Sequence, residues 1–253
     1  MSSNLYKNEL IDYLKNKSEV STQELLVFYR QFTPKLPLNT LRWRIYALKQ
    51  QGIIYSPKRG VYALNEKETF ALVPNDKILR IANLLQTKFP YMNFSIYSTG
   101  WIGNLSNHMY QTNNLIIEIE IDTLNAAFHY LKERFPNTFV SPDQKMYDYY
   151  INPSEENIIV NRLYVDAPLN RFDGSFYTPK IEKLIVDLLV NNPIILPISS
   201  SEIQTIISTV LDMYNINYST LTRYANKRNV HQELKKYCLY KEKKNDSRIK
   251  FYY

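Results

Sequence analysis

Apolar residues recur at helical spacing in three short segments at the start of the chain. Asn4–Lys17 carries its leucines and isoleucine on one side, and Ser21-Thr22-Gln23-Glu24 has the form of a capping box that begins a second helix. Prolines in segment 33–37 end that helix, because proline lacks an amide donor and disfavours helix in the residue before it. Asn39 is then predicted to cap a third helix over Thr40–Gln51.

The third helix is predicted to have one buried and one exposed face. Its apolar stripe consists of Leu41, Ile45 and Leu48. The opposite, exposed face is predicted to hold Thr40, Arg44, Ala47 and Gln51. Trp43 is predicted to pack beneath the segment that follows, because large aromatic side chains mostly bury their rings. An exposed position beside the outer face, where the ring could stack on a sugar, is the alternative.

The period of the apolar residues changes after Gly52. Two β-rich runs, 53–56 and 61–64, flank Pro57-Lys58-Arg59-Gly60 and predict a hairpin with a basic tip. Strand and helix patterns alternate beyond residue 66, over helices 76–89 and 123–135 and strands 93–98, 115–122, 138–140 and 158–160. The chain is then helical over 179–190, 201–214, 219–226 and 230–238.

These patterns predict an α+β protein of two domains, since 253 residues fit one or two domains of about 100–200 residues. The first domain, 1–65, contains three helices and a hairpin. The second, 66–253, is an α/β domain with a C-terminal helical bundle. Alternation of strands and helices is typical of a sheet covered by helices.

Composition excludes several function classes. Five glycines supply no phosphate-binding loop of the G-x-G-x-x-G or G-x-x-x-x-G-K-[ST] type. The single cysteine, Cys238, cannot form an internal disulfide, and the three histidines lie far apart, so we expect no metal site and no cofactor. No apolar run reaches the roughly 18 residues of a membrane span. The chain is therefore expected to be cytoplasmic, without a membrane partner.

The net charge of +7 is unevenly distributed. Residues 1–65 hold ten Lys and Arg against four Asp and Glu, and residues 220–253 hold ten against three. The middle of the chain is acidic. A basic module of this size favours nucleic-acid binding through counterion release, whereas ordinary solubilising charge is the alternative for the same residues.

Residues 4–65 resemble the winged helix-turn-helix family, in which the third helix enters the major groove and the hairpin, or wing, touches the DNA backbone or minor groove. The resemblance implies duplex contacts from Thr40, Arg42, Arg44, Lys49, Lys58 and Arg59. Arg42 and Arg44 would contact base edges or phosphates, because arginine bonds guanine in bidentate fashion. The others would hold phosphates. Some winged helices bind protein instead, so a protein-binding adaptor remains an alternative.

Tyr177–Leu188 contains a P-x-x-E-K-L-x-V-D pattern that resembles a helix of the AbiEi-type antitoxin family. Tyr214–Asn217 and Leu221–Arg228 resemble further segments of that family, with Lys227 in place of an arginine. The resemblance implies an antitoxin of an abortive-infection, phage-defence system. It would repress its own operon by binding operator DNA and would counteract a nucleotidyltransferase toxin without tight contact. It implies no catalytic residue, and symmetric operator readers suggest a homodimer.

The charged residues of these helices also have a plainer interpretation. Glu182, Lys183 and Asp187 lie beside an apolar stripe and are predicted to pair with Arg223 or Arg228, in a structural rather than a catalytic network. A second basic face is predicted from Arg223, Lys227, Arg228, Lys235 and Lys236. A solvated helix surface is an equal alternative for that face.

An enzymatic alternative rests on Glu118, Glu120 and Asp122. Alternation along a strand places the three carboxylates on one face, which loosely resembles the Mg²⁺-binding carboxylates of nucleotidyltransferases. The outward polar face of a half-exposed strand explains the same residues more simply. We therefore favour a nucleotidyltransferase-like scaffold that is not an enzyme.

Overall fold

The computed structural model describes residues 5–68, 70–103, 105, 114–151, 155–190 and 200–237, and Cys238 lies outside them. The chain has a mixed α and β fold, as predicted. It divides into two compact units, Met1–Thr69 with Leu211–Thr220, and Phe70–Val210 with Leu221–Tyr253. The division expected from the sequence, 1–65 and 66–253, places 211–220 in the second domain.

The first unit contains three helices and a three-stranded antiparallel sheet. In chain order its elements are α1 Lys7–Lys15, β1 Val20–Ser21, α2 Thr22–Arg30, α3 Leu38–Gln50, β2 Ile54–Lys58 and β3 Val61–Leu64. The strand order is β1-β3-β2. The three predicted helices and the predicted hairpin are confirmed.

Local chemistry explains where these helices begin. The capping box is present: Glu24 N donates to Ser21 Oγ over 3.2 Å, and Ser21 N donates to the Glu24 carboxylate over 2.8 Å. The predicted Asn39 cap is wrong, because α3 begins at Leu38 with extended Pro37 at the N-cap position. Proline fixes φ at a value that suits this position, so the helix starts directly after it.

Leucines from all three helices form the core of the first unit. The predicted stripe of α3 is confirmed, and it packs with Leu10, Leu14, Leu25 and Leu26. Full burial of one such side chain contributes about 1.5–3 kcal/mol. Burial of this stripe therefore fixes which side of α3 faces outward.

The second unit contains a six-stranded mixed sheet and helices. Its elements up to residue 190 are α4 Asp76–Lys88, β4 Phe94–Ser98, α5 Gly100–Gly103, β5 Leu115–Ile119, α6 Ile121–Lys132, β6 Thr138–Val140, α7 Gln144–Tyr150, β7 Ile158–Arg162, β8 Leu169–Phe172, β9 Phe176–Pro179 and α8 Ile181–Val190. Then follow α9 Ser200–Met213 and α10 Tyr218–Lys227, whose residues 211–213 and 218–220 belong to the first unit, and a helical stretch at 231–237. The strand order is β6-β7-β5-β4-β9-β8.

The two faces of the six-stranded sheet differ in chemistry. One face is apolar: Phe94, Ile96 and Ile117 pack with residues of α4 and α6 in the main core. Alternation turns the residues between them to the other face, where Ser95 on β4 lies directly opposite Glu118 on the antiparallel strand β5. That second face also carries the buried residues Tyr97 and Ile116, so Ser95 and Glu118 are polar groups within a covered face.

Two of the boundaries that differ from the sequence prediction have a clear cause. The strand predicted over 115–122 ends at Ile119, because α6 begins at Ile121. The helix predicted from Pro179 begins at Ile181, because Pro179 is the last residue of β9 and lies opposite Leu169 of β8. The start of a helix sets the first boundary, and pairing with the preceding strand sets the second.

Helix α8 is buried on all sides rather than along one stripe. Every residue from Ile181 to Leu189 is buried, including Glu182, Lys183 and Asp187. Since charged side chains are almost never fully buried unless paired, this helix requires internal ionic partners. Within the described part of the chain, no helix is long and apolar enough to cross a membrane.

Candidate nucleic-acid interface

The outward side of α3 combines cationic and aromatic side chains. Arg42, Tyr46 and Lys49 are spaced by four and then three residues, so they lie on one side of the helix, and all three are exposed. The exposed fraction of Tyr46 is 62%. Its position was not singled out from the sequence, although the i, i+4, i+7 spacing is a usable signal. This side can contact a negatively charged partner.

Trp43 lies beside this side of the helix, and its exposure differs from the prediction. Its exposed fraction is 51%, so the expected packing beneath the hairpin is wrong. Trp43 lies two residues from both Leu41 and Ile45, and a separation of two residues turns a side chain of a helix away from the buried stripe. The exposed indole adds an aromatic surface next to Arg42.

Arg44 is less exposed than predicted. Its guanidinium carbon lies 4.8 Å from the ring centroid of Tyr29 and 5.7 Å from that of Tyr6, and its Nη1 is buried without a hydrogen-bond partner. Burial raises the pKa of the Tyr29 hydroxyl to about 12, although the Arg44 charge opposes the rise. The ring faces attract the cation, so this side chain turns inward. Its contact with DNA stays a prediction that requires it to leave these rings.

Thr40 is exposed in the first turn of α3, where backbone N–H groups generally lack partners within the helix. Of the α3 residues predicted to contact DNA, Thr40, Arg42 and Lys49 are therefore exposed. Thr40 thus lies at the start of α3 and Arg42 and Lys49 on its outward side, whereas Arg44 turns inward.

The hairpin tip carries the two remaining predicted cations. Arg59 is exposed, whereas Lys58 is half-buried and lies 3.7 Å from the Glu19 carboxylate. The turn needs Gly60, whose φ of 76° is a left-handed value that glycine adopts without strain. Thr22 N and Thr22 Oγ1 donate to the Gly60 carbonyl over 2.9 and 3.1 Å, which ties the tip to the start of α2.

The second predicted basic face is interrupted. Arg228 is turned inward, with a side chain only 4% exposed that donates to Asp187 over 2.9 Å, so its place on an open face is wrong. Lys227 donates to Asp166 over 2.5 Å. Arg223 and Lys236 are exposed, and Lys235 is half-buried. Two of the five cations therefore neutralise carboxylates of this chain.

A buried ionic network lies on the face of the six-stranded sheet that carries Ser95 and Glu118. Lys183 Nζ donates to Glu118 Oε1 over 2.7 Å and also to Asp187, which in turn accepts from Arg228 and Tyr224. The predicted pairing of Asp187 with Arg228 is confirmed. The sequence did not reveal Glu118 as a member, because its partner on α8 lies 65 residues further along the chain.

Burial and neighbouring charges act on the pKa values of this network in opposite directions. Burial raises the pKa of Glu118, and the adjacent Lys183 charge opposes that rise. Burial on its own would lower the pKa of Lys183, but the carboxylates of Asp187 and Glu118 outweigh it and raise that pKa well above its ordinary value. Lys183 therefore remains a cation inside the protein, between Glu118 and Asp187.

The three carboxylates of the enzymatic alternative do not share a strand face. Glu118 is buried against Lys183, so its interpretation as an outward polar residue is also wrong. Glu120 precedes α6 and accepts from Asn93 N and Nδ2 over 3.2 and 2.7 Å, while Asp122 is exposed in the first turn of α6. Among the described residues, no three His, Cys, Asp or Glu side chains are grouped to hold a metal ion.

Comparison with known proteins identifies one family. The model of a family of unknown function, DUF6577, matches residues 40–244, which include most of α3, the hairpin and the whole six-stranded sheet. A search of curated proteins finds no match. Since the family model spans more than half of the sequence, the chain belongs to the family of unknown function DUF6577.

Proposed function

We propose that the first unit is a winged helix-turn-helix module that binds duplex DNA, with α3 in the major groove and the β2–β3 hairpin as the wing. The observation that carries this proposal is the outward side of α3, where Arg42, Trp43, Tyr46 and Lys49 are all exposed. A helix of this diameter fits the major groove, and arginine on it can bond base edges or phosphates.

The order of the elements supports the proposal. The unit runs helix, strand, helix, helix, strand, strand, and its hairpin directly follows α3. The tip places exposed Arg59 at the end of a short, anchored turn. A cation at such a tip suits contact with a phosphate, which fixes register without reading sequence. The leucine core holds α3 by its opposite side, so binding needs no rearrangement of that core.

The test is a titration of the full chain with duplexes selected from a random library, followed at several salt concentrations. Replacing Arg42 and Lys49 together by alanine is expected to weaken binding and to lower the slope of log K against log salt by about two, because each lost phosphate contact contributes roughly 0.9. The matched control is Lys7→Ala with Lys15→Ala, which removes the same charge from exposed positions of α1. Equal losses in both pairs would contradict the proposal.

The wider role is proposed from the antitoxin resemblance. The protein would be a cytoplasmic, dimeric repressor of its own operon that counteracts a nucleotidyltransferase toxin. Support comes from the segments Tyr177–Leu188, Tyr214–Asn217 and Leu221–Arg228. Expression of the adjacent reading frame with and without this chain tests the role. Growth arrest that this chain does not relieve would contradict it.

We also propose that the second unit is not a nucleotidyltransferase. The bond between Lys183 and Glu118 supports this, because it engages the first carboxylate of the candidate set. Incubation with labelled nucleoside triphosphates and RNA or protein acceptors is expected to give no transfer. Transfer that disappears in Glu118→Gln would instead establish the enzymatic alternative.

A further inference from the structure

Segment Leu211–Thr220 belongs to the first unit although it lies far from that unit in sequence. Glu68 N donates to Met213 O over 3.1 Å, and Glu68 also forms a parallel bridge with Tyr214. Lys67 Nζ donates to Leu211 O over 2.5 Å. The residues directly after the hairpin are thus bound along the returning segment.

Two asparagines of this segment bond to the hairpin. Asn215 Nδ2 donates to Asn65 Oδ1, and Asn65 Nδ2 donates to Gly52 O over 2.8 Å. Gly52 precedes β2 and Asn65 follows β3, so this chain of bonds joins the two ends of the hairpin. Asn217 Nδ2 donates to Ser56 O over 3.0 Å, within β2 itself.

Ser56 lies where the pairing of the two hairpin strands is irregular. The pairing of β2 with β3 shifts register between Tyr55 and Lys58. Ser56 Oγ lies 2.8 Å from Lys58 O and 3.0 Å from Val61 O, so it links the two strands next to the tip. A bond that fixes the Ser56 carbonyl therefore restricts the direction in which the tip, with Arg59, projects.

We propose that Asn215 and Asn217 are positioning residues for duplex binding, which act through the hairpin tip and make 211–220 part of the DNA-binding unit. This inference rests on the proposed function. Neither asparagine needs to touch DNA. Their amides hold the hairpin ends and Ser56, and the hairpin presents Arg59.

Asn217 also has a second task, which the test must separate. Its Oδ1 accepts from Thr220 N over 2.9 Å, so it caps the start of α10. Asn217→Ser keeps a good capping oxygen and adds no charge, but its side chain is too short to reach Ser56 O. The variant thus removes the bond to the hairpin and preserves the cap.

The experiment compares four full-length proteins: wild type, Asn217→Ser, Arg59→Ala and the double variant. Each is titrated with the same selected duplex across a salt series. Asn217→Ser is expected to weaken binding several-fold and to lower the salt slope by about one, the loss expected for a single phosphate contact. In the Arg59→Ala background it should have no further effect. In an Arg42→Ala background its effect should be undiminished.

Failure of the two proposals is distinguishable. If the wild type binds no duplex, the proposed function is wrong and this inference falls with it. If the wild type binds and Asn217→Ser matches it, or weakens binding equally with and without Arg59, the inference alone is overturned. Asn226→Ser, at an exposed position of α10, is the matched control, and thermal unfolding verifies folding. Asn215→Ala provides the same comparison through the hairpin ends, and unfolding of both variants would overturn the inference.

Discussion

At the scale of single residues, burial decides which charges belong to the structure and which face solvent. Lys183 and Arg228 carry their charges inside the protein, whereas Arg42 and Arg59 carry theirs at the surface. The amino-acid composition does not distinguish these four residues. The buried charges are balanced by partners within hydrogen-bond distance, so they stabilise packing and contribute little to an external field.

The buried network predicts a large effect for Lys183→Met. Removal of the ammonium leaves Glu118 buried without a cation, and breaking a buried pair costs about 3–5 kcal/mol. Urea unfolding followed by circular dichroism measures the loss. A second substitution, Glu118→Leu, is expected to restore part of the stability, because it removes the uncompensated carboxylate. Lys145→Met, at an exposed position of α7, is the control, and an equal loss there would contradict the prediction.

The capping box predicts a pH-dependent contribution. Hydrogen bonds from Ser21 N, from Lys17 and from Ser21 Oγ lower the pKa of Glu24 to about 2, below its ordinary value near 4.5. A lowered pKa in the folded state stabilises the fold above the unfolded pKa, and this contribution disappears as the pH falls through the folded pKa. The stability difference between wild type and Glu24→Gln should therefore be constant above about pH 5 and shrink toward pH 2.

Urea unfolding at a series of pH values measures this difference. Glu9→Gln, at an exposed position of α1, is the matched control. A difference for Glu24→Gln that persists unchanged at pH 2 would show that the carboxylate charge does not support the cap.

At the scale of elements, the sequence predicted the helices and turns whose positions depend on neighbouring residues. The capping box and the turn around Gly60 specify α2 and the hairpin within a few residues, so both could be predicted from the sequence. Strands β8 and β9 were not predicted, although Asp173-Gly174 between them is a typical hairpin-turn signal. Pro179 suits a first helical position as well as a strand end, and only pairing with Leu169 selects the strand.

The two sides of α3 predict opposite effects of two substitutions. Trp43→Ala should change the free energy of unfolding by less than about 0.5 kcal/mol, since the indole is half exposed. Leu41→Ala should cost about 2–5 kcal/mol, because Leu41 is fully buried in the core. Duplex affinity should respond in the reverse order under conditions where both variants are folded. A large stability loss for Trp43→Ala would mean that the indole packs against the protein.

At the scale of the whole molecule, the order of segments in the sequence does not show which of them belong to the same unit. The α+β class and the candidate cations of α3 and the hairpin could be predicted, because local periodicity and charge carry that information. The return of Leu211–Thr220 to the first unit could not be predicted. It involves Asn215 and Asn217, whose hydrogen-bond partners lie about 150 residues earlier in the chain. The local Tyr-x-Ile-Asn sequence does not indicate which residues these partners are.

This interleaving predicts how a fragment of residues 1–69 behaves. The buried cluster shared by its three helices lies between Leu5 and Ile54, so these helices are expected to fold without the rest of the chain. The hairpin, however, loses the bonds from Asn215 and Asn217. The fragment should therefore bind the selected duplex more weakly than the full chain and with a salt slope lower by about one, while Arg42→Ala still weakens it further. Anisotropy titrations of fragment and full chain measure both quantities, and an equal affinity with an equal slope would mean that the hairpin holds its own position.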